Sequence, residues 1–339
     1  MQARLFAYRY PTTTLFVDDD RVFLQNLSVG LDDDLAAMIM DSPRRALDFI
    51  TDHAGQPSLH ETFLAAYRDF PDGIEPALTD RVVTVELSKI AEAVYQPDRF
   101  EEISVLVIDY AMPGLTGLEV CEQIDGLPIA KILLTGKADE KTAVEAFNRG
   151  IIDRFIVKSD PNALALVNQN IAALQERHFE QASDTILRTL GNQAPRFMTD
   201  DKFAELFAEI RGRHAAVEYY LAPDAAGFLM FDADGRATLL KVLGETDLRG
   251  QWEIAGDQGA PADLVEALKS RKVVPHFWRS GGFYAPDIGD WRDFVHPAET
   301  FEGAETYHYA LLSDPPGVES GRVYAFEHYL EKLDASRDG

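Results

Sequence analysis

Over the first 160 positions the apolar residues fall into short, nearly continuous runs, and the stretches between them carry apolar residues at helical spacing. The runs TLFVD (14–18), AAMIMD (36–41), SVLVIDY (104–110), AKILLTG (130–136) and DRFIVK (153–158) are each followed by polar or Gly/Pro punctuation. Short runs without polar alternation suit strands that are covered on both faces. The intervening spacing predicts helices near 21–29, 43–53, 117–123 and 140–148. Strands alternating with helices predict βαβ units and an α/β fold, a doubly wound five-stranded parallel sheet.

One connection is too long for that plan. Asp109, at the end of the third run, comes 90 residues after Asp19, whereas two βα units with ordinary elements and loops need roughly 40 to 50. The surplus falls at about 54–100, where SLHETFLAAYRDF (58–70) and LSKIAEAVYQ (87–96) have helical spacing and DGIEP (72–76) interrupts them. Its aromatic and branched residues predict a helical insertion packed beside the second helix rather than a disordered loop.

No Gly or Pro interrupts 162–190. Leu164, Val167, Ile171 and Leu174 keep a 3-4 spacing that slips before Ile186 and Leu190, so the stretch is either one helix of about 45 Å or two helices broken near 181–184. GNQAPRF (191–197) reads as a boundary. The expected domains are therefore 1–160, a connector helix over 161–190, and 191–339. Beyond the boundary the pattern predicts a helix over 201–219, a hairpin, helical stretches near 246–252 and 262–270, strands near 273–278 and 306–312, and a last helix near 323–333. These do not alternate regularly, and an α+β domain is expected.

Composition narrows the partners. The 339 residues carry a formal charge of −25 and are 46% apolar, a globular composition whose acidity repels phosphate backbones and anionic lipid. For 191–339 the count is 15 Lys and Arg against 26 Asp and Glu, which disfavours nucleic acid. A single cysteine, Cys121, excludes an intramolecular disulfide; placed one turn after Leu118, it reads as packed rather than reactive. No apolar run reaches the length of about 18 residues needed to cross a bilayer, and the first residues lack a signal-peptide pattern. A cytoplasmic protein without a membrane partner is the expectation.

TLFVDDD (14–20) ends a strand in three aspartates, which persist together only if solvent, a cation or a basic group neutralises them. LDDDL (31–35) carries the same triplet, so the triplet alone says little. The other strand ends add weight: Asp109 follows the third, Thr135 the fourth and Lys158 the fifth. In an open parallel sheet such ends converge at one edge. Several carboxylates there suit a hard dication such as Mg²⁺, and a carboxylate beside a metal and a lysine can accept a phosphoryl group.

FVDDD, VIDYAMPGLTG, LLTGKAD and FIVKS, in that order, resemble the receiver domain of two-component response regulators, a flavodoxin-like fold, across about 14–174. The resemblance implies that Asp109 is the phosphoacceptor, that Asp19 and Asp109 ligate Mg²⁺ with Asp18 assisting through water or through a contact to the direct ligands, and that the Ala111 carbonyl completes the protein ligands. Met112, Pro113 and Gly117 would shape the loop, Thr135 and Lys158 would bind the phosphoryl group, and Phe155 would be the switching aromatic. Read from the residues alone, Asp20 is a helix N-cap and Phe155 a core residue. Ser159 stands where receivers usually have Pro, so a cis peptide is not expected, since it costs about 3 kcal/mol without proline. The insertion departs from the family too, with consequences for a dimer face or for kinase docking.

The resemblance implies a sensor histidine kinase or phosphotransfer protein as partner, a possible homodimer, and a role in a phosphorelay. The C-terminal half carries no diagnostic output motif. FDADGRATLLKVL (231–243) lacks the oxygens and glycine of a calcium loop and reads as a hairpin turning at DADG. Its five histidines, His214, His276, His296, His308 and His328, form no metal spacing. The aromatics of 275–294 either line a pocket or cover the sheet, and covering the sheet is the reading preferred here. The half is similar to PAS-like sensory modules and to the output domain of response regulators in α-hydroxyketone quorum sensing. Three functions follow: a regulator whose output binds protein or a small ligand, a receiver-controlled enzyme acting on a nucleotide or metabolite, and a DNA-binding regulator that the acidity disfavours.

Overall fold

A computed structural model describes residues 4–54, 62–66, 83–136, 139–224 and 226–337. In chain order the strands are β1 (Tyr8–Arg9), β2 (Thr13–Val17), β3 (Ala37–Met40), β4 (Leu64–Ala66), β5 (Val83–Val85), β6 (Ile103–Asp109), β7 (Ala130–Thr135), β8 (Arg154–Val157), β9 (Ala216–Leu221), β10 (Gly227–Asp232), β11 (Ala237–Gly244), β12 (Val273–Pro275), β13 (Val295–Pro297), β14 (Glu299–Glu302) and β15 (Thr306–Ser313). The helices are α1 (Arg21–Val29), α2 (Pro43–Ala54), α3 (Leu87–Glu92), α4 (Gly117–Gln123), α5 (Glu140–Asn148), α6 (Ala163–Leu190), α7 (Asp201–Arg213), α8 (Glu245–Asp257), α9 (Ala262–Lys269) and α10 (Phe326–Arg337).

The chain divides into two compact units, and neither is a single stretch of sequence. The α/β unit comprises Tyr10–Thr62, Pro97–Ala182 and Glu327–Gly339; the antiparallel unit comprises Met1–Arg9, Phe63–Gln96 and Ser183–Phe326. The boundaries expected at 160 and 190 do not coincide with this division, which falls inside α6.

The α/β unit has a parallel sheet of order β3-β2-β6-β7-β8, with the order reversing between β2 and β6. One face packs Leu15, Val17, Leu106, Ile108 and Leu133 against Ala46, Ile50, Val120, Cys121, Ala143 and Ala146 of α2, α4 and α5. The other packs Phe16, Val105, Val107, Ile132 and Leu134 against Leu24, Leu27, Val167, Ile171 and Leu174 of α1 and α6. Helices on both faces explain why the strands read as unbroken apolar runs. Cys121 is fully buried, its thiol pushed up to about 12 by burial. Leu164, in the same 3-4 series, is instead over a third exposed and lies across Gly30, where an added Cβ would come within 2.1 Å of it. The α6 helix is continuous over 28 residues, which decides between the two readings of 162–190. The last helix belongs to this unit beyond Phe326, its Tyr329 hydroxyl lying 2.6 Å from Thr13 Oγ1 of β2.

The antiparallel unit is built on a six-stranded sheet of order β1-β9-β10-β11-β15-β14. Phe207 of α7 packs its ring 4.4 Å from Phe228 and 5.0 Å from Tyr219. The expected helix over 201–219 stops at Arg213: Ala215 takes a left-handed conformation (φ 47°) and the chain turns into β9, because Tyr219 and Tyr220 are needed by β10 and β1. The DADG turn joins β10 and β11 as expected, with Gly235 at φ 81° and Asp232 Oδ1 accepting from the Arg236 N–H at 2.8 Å. A smaller pair, β12 and β13, packs with α8 and α9 around Phe277, Tyr284 and Phe294.

The insertion differs from its expected form. Much of 58–70 and all of 72–76 lie outside the described residues, but β4 and β5 form an antiparallel pair where helical spacing was read around 64–66. The α3 helix is present as predicted, with Ile90 and Ala91 buried. It packs on β9 of the antiparallel unit rather than beside α2, and Phe63 meets the Tyr8 ring edge-on at 5.0 Å. Apolar residues in a short amphipathic segment do not specify which sheet they cover.

Candidate functional site

The carboxyl ends of β2, β6, β7 and β8 meet because register aligns them: Val17 pairs with Ile108, Asp109 with Leu134, and Thr135 with Val157. Backbone bonds extend the alignment past the strands, from Asp18 N–H to the Met40 carbonyl at 3.2 Å and from Lys158 N–H to the Thr135 carbonyl at 2.9 Å. Asp18, Asp19, Asp109, Thr135 and Lys158 are thereby placed at one edge of the sheet.

Lys158 Nζ lies 2.8 Å from Asp109 Oδ1 and 2.5 Å from Asp18 Oδ2. Asp18 is 1% exposed and Asp109 6%. Asp18 Oδ1 accepts from the Asp20 N–H at 3.0 Å, while Oδ2 faces the Lys158 ammonium. Burial raises the Asp18 pKa despite Lys158, because the ammonium is shared with a second acid. Burial depresses the Lys158 pKa, yet the two carboxylates outweigh it and the net shift is upward. The lysine is a fixed positive charge.

One oxygen from each of Asp18, Asp19 and Asp109 lies within 4.8 Å of the others. This all-oxygen set, with more acid than base, fits a hard dication. The triplet at Asp32 to Asp34 enters no such cluster; Asp32 instead accepts from the Asn168 side chain at 3.0 Å. Asp20 caps α1 as expected, accepting from the Val22 and Phe23 N–H groups at 2.9 and 3.1 Å.

The loop after β6 is shaped by backbone approach. Ala111 N–H donates to Asp109 Oδ2 at 3.2 Å, Met112 is buried, and Thr116 with Glu119 forms a capping box that starts α4. A Cβ on Gly117 would lie 2.0 Å from the Asp109 carbonyl oxygen, so only glycine lets α4 begin against the acid's own backbone. Thr135 is buried and its hydroxyl donates to the Gly136 carbonyl at 2.6 Å. Phe155 is half-buried against the core, 6.4 Å from the Phe147 ring. No cis peptide occurs among the described residues, in line with Ser159. Sequence reading missed Phe23, whose ring faces Lys158 Nζ at 4.5 Å; its only signal was its place in the first turn after Asp19.

A family model described as the response regulator receiver domain matches residues 69–167. Response regulator RppA of Synechocystis is 31% identical over 100 residues, which is 29% of this chain and 41% of that protein, so the chain spans less than half of that relative. The solved structure of the Legionella pneumophila response regulator LqsR is 37% identical, with a TM-score of 0.78, over 99% of this chain and 98% of that one. The chain belongs to the response regulators. Asp18 and Asp19 lie ahead of the residues that the family model matches. No helix among the described residues is long and apolar enough to cross a membrane.

Proposed function

We propose that this response regulator accepts a phosphoryl group on Asp109 from a histidine kinase or phosphotransfer protein. The observation that carries the reading is Lys158 Nζ held 2.8 Å from Asp109 Oδ1 beside two further carboxylates. An Asp109 oxygen attacks the phosphorus of the donor, the phosphorus–nitrogen bond breaks, and its electron pair returns to the donor imidazole. Lys158 pairs with the charge gathered on the phosphoryl oxygens. Thr135 releases the Gly136 carbonyl to donate to one of those oxygens, and Phe155 follows by changing rotamer. Asp18, Asp19, Asp109 and the Ala111 carbonyl would hold Mg²⁺, which supplies charge neutralisation for the carboxylates and the phosphoryl group.

The antiparallel unit stands as the output, reading the receiver's state through a protein or small-ligand contact. The full-length similarity to LqsR supports placing the chain with the quorum-sensing regulators that its C-terminal half resembles, in the cytoplasm. Incubation with Mg²⁺ and acetyl phosphate, followed by intact mass, tests the acceptor. A phosphoryl adduct on the wild type and none on Asp109→Ala is the expected result; an adduct that persists in Asp109→Ala overturns the assignment.

A further inference from the structure

Within the antiparallel unit lies an open cavity of about 970 Å³ between α3, the β12 segment and the loop after β15, at the upper end of the size range of small-molecule sites. Leu229 and Leu239, cross-strand partners in β10 and β11, line it together with Pro315 and Trp278. Trp278 is 39% exposed there. An apolar molecule laid in the cavity takes this ring and the leucines out of contact with water.

Two guanidinium groups stand at the cavity, each over an aromatic ring. Arg322, itself a lining residue, lies over the Tyr95 ring at 5.0 Å, and Arg279 lies over the Trp278 ring at 4.7 Å. Arg322 is held further by Nη1 donating to Glu319 Oε1 at 2.9 Å, while the Glu319 N–H donates to the Tyr95 hydroxyl at 3.0 Å. These contacts leave most of the fork open. The Arg322 side chain is 62% exposed, and its Nε and Nη2 donate to no group among the described residues. The Arg279 side chain forms no ion pair or hydrogen bond among the described residues.

The acids at the walls do not cancel this charge. Asp224 is taken by the buried Lys241. Glu319 faces Arg322 with both side chains more than 60% exposed, so water screens that pair. Glu92, which forms no ion pair among the described residues, is the wall charge that opposes an anion. A guanidinium is planar, and two donors on one edge match the two oxygens of a carboxylate. Stacking on Tyr95 orients that edge without consuming its donors.

We propose that this cavity binds an amphipathic monocarboxylate, its apolar body against Leu229, Leu239 and Trp278 and its carboxylate forked on Arg322 Nε and Nη2. The inference deepens the small-ligand reading of this unit and does not rest on phosphoryl transfer at Asp109.

Calorimetric titration of the full chain with octanoate, 1-octanol and octylammonium tests it, since the three share an apolar chain and differ in the charge of the head. Saturable binding of octanoate is expected, with the alcohol and the ammonium each roughly ten-fold weaker or more, the scale of one hydrogen-bonded charge pair. Arg322→Leu should erase the preference, and Arg322→Lys, which keeps the charge without the fork, should retain only part of it. Glu92→Gln should tighten octanoate about two- to three-fold by removing the opposing charge and leave 1-octanol unchanged. In the unaltered protein tryptophan fluorescence should change with the calorimetric midpoint, and Trp278→Phe should remove that change, a readout that holds even if an Arg322 variant fails to fold. Equal or tighter binding of the alcohol or the ammonium, no saturable binding, a preference for octanoate undiminished in Arg322→Leu, or a fluorescence change that survives Trp278→Phe overturns the proposal. Repeating the titration on Asp109→Asn should give the same affinities, which separates this inference from the receiver reading.

Discussion

Asp18 with Lys158 and Asp224 with Lys241 are the same chemical pair in two settings, one at the receiver's strand ends and one beneath the cavity of the antiparallel unit. In the receiver the acid is the buried partner, 1% exposed at its side chain, and the lysine opens at 23%; in the other pair the lysine is buried at 5% and the acid open at 39%. Burial pushes both acids upward. Asp18 stays raised because Lys158 is divided between it and Asp109, whereas Asp224 is pulled below its ordinary range because Lys241 serves it alone. Two acids on one ammonium leave a site short of positive charge, ready for a cation; one acid on one ammonium is a closed structural contact.

The largest expected effect tests the open half of this contrast. Asp109→Asn removes the carboxylate proposed as the phosphoryl acceptor, and the acetyl phosphate adduct should vanish entirely from the mass spectrum while the fold, followed by circular dichroism, is kept. Next comes the closed pair: Asp224→Asn strands the Lys241 ammonium in a buried position. It should cost about 2 to 3 kcal/mol in urea unfolding, less than for two fully buried partners because water reaches the aspartate. The stabilising contribution of Asp224 is present above the unfolded carboxylate pKa and is lost as pH falls through its lowered value.

Gly117→Ala should cost about 2 kcal/mol by pressing a methyl group into the Asp109 carbonyl, and it should slow adduct formation by displacing the acceptor. The same variant at Gly126, where nothing lies within 4 Å but φ is 87°, tests backbone strain alone and should leave the phosphorylation rate unchanged.

Asp18→Asn is expected to run opposite to Asp224→Asn. Because the folded protein raises the Asp18 pKa, the ionised form is a cost above that raised value, and the cost fades as pH falls toward the ordinary carboxylate range. The substitution should therefore stabilise the metal-free protein at neutral pH, read as a higher urea midpoint, while weakening Mg²⁺ binding in a calorimetric titration. Destabilisation there would remove the distinction between the two pairs. The smallest effect lies at Glu245, held down to about 2 chiefly by Arg271 and then by His308. Its contribution is present above the ordinary glutamate value and is lost as pH falls toward 2. Since the side chain is 43% exposed, Glu245→Gln should change stability at pH 6 by less than about 1 kcal/mol.

What the sequence determined by itself is the receiver: its parallel strands, its flanking helices and the residues at its strand ends. Continuous apolar runs can only be buried on both faces, turn and capping residues such as Asp20 and Thr116 mark helix starts locally, and βαβ connectivity brings one end of every strand to the same edge. The tertiary structure decided what those signals do not encode. Asp18–Asp20 and Asp32–Asp34 read alike, and only the approach of Asp109 and Lys158 across the sheet makes one of them a site. Tyr8 and Arg9, α3 and the last helix each carry apolar residues that would suit either unit; Tyr8 pairs with Tyr220, α3 covers β9, and Tyr329 reaches Thr13. Asp224 and Lys241 likewise meet from separate segments, and electrostatics and packing between distant segments leave no periodic trace for a sequence to show.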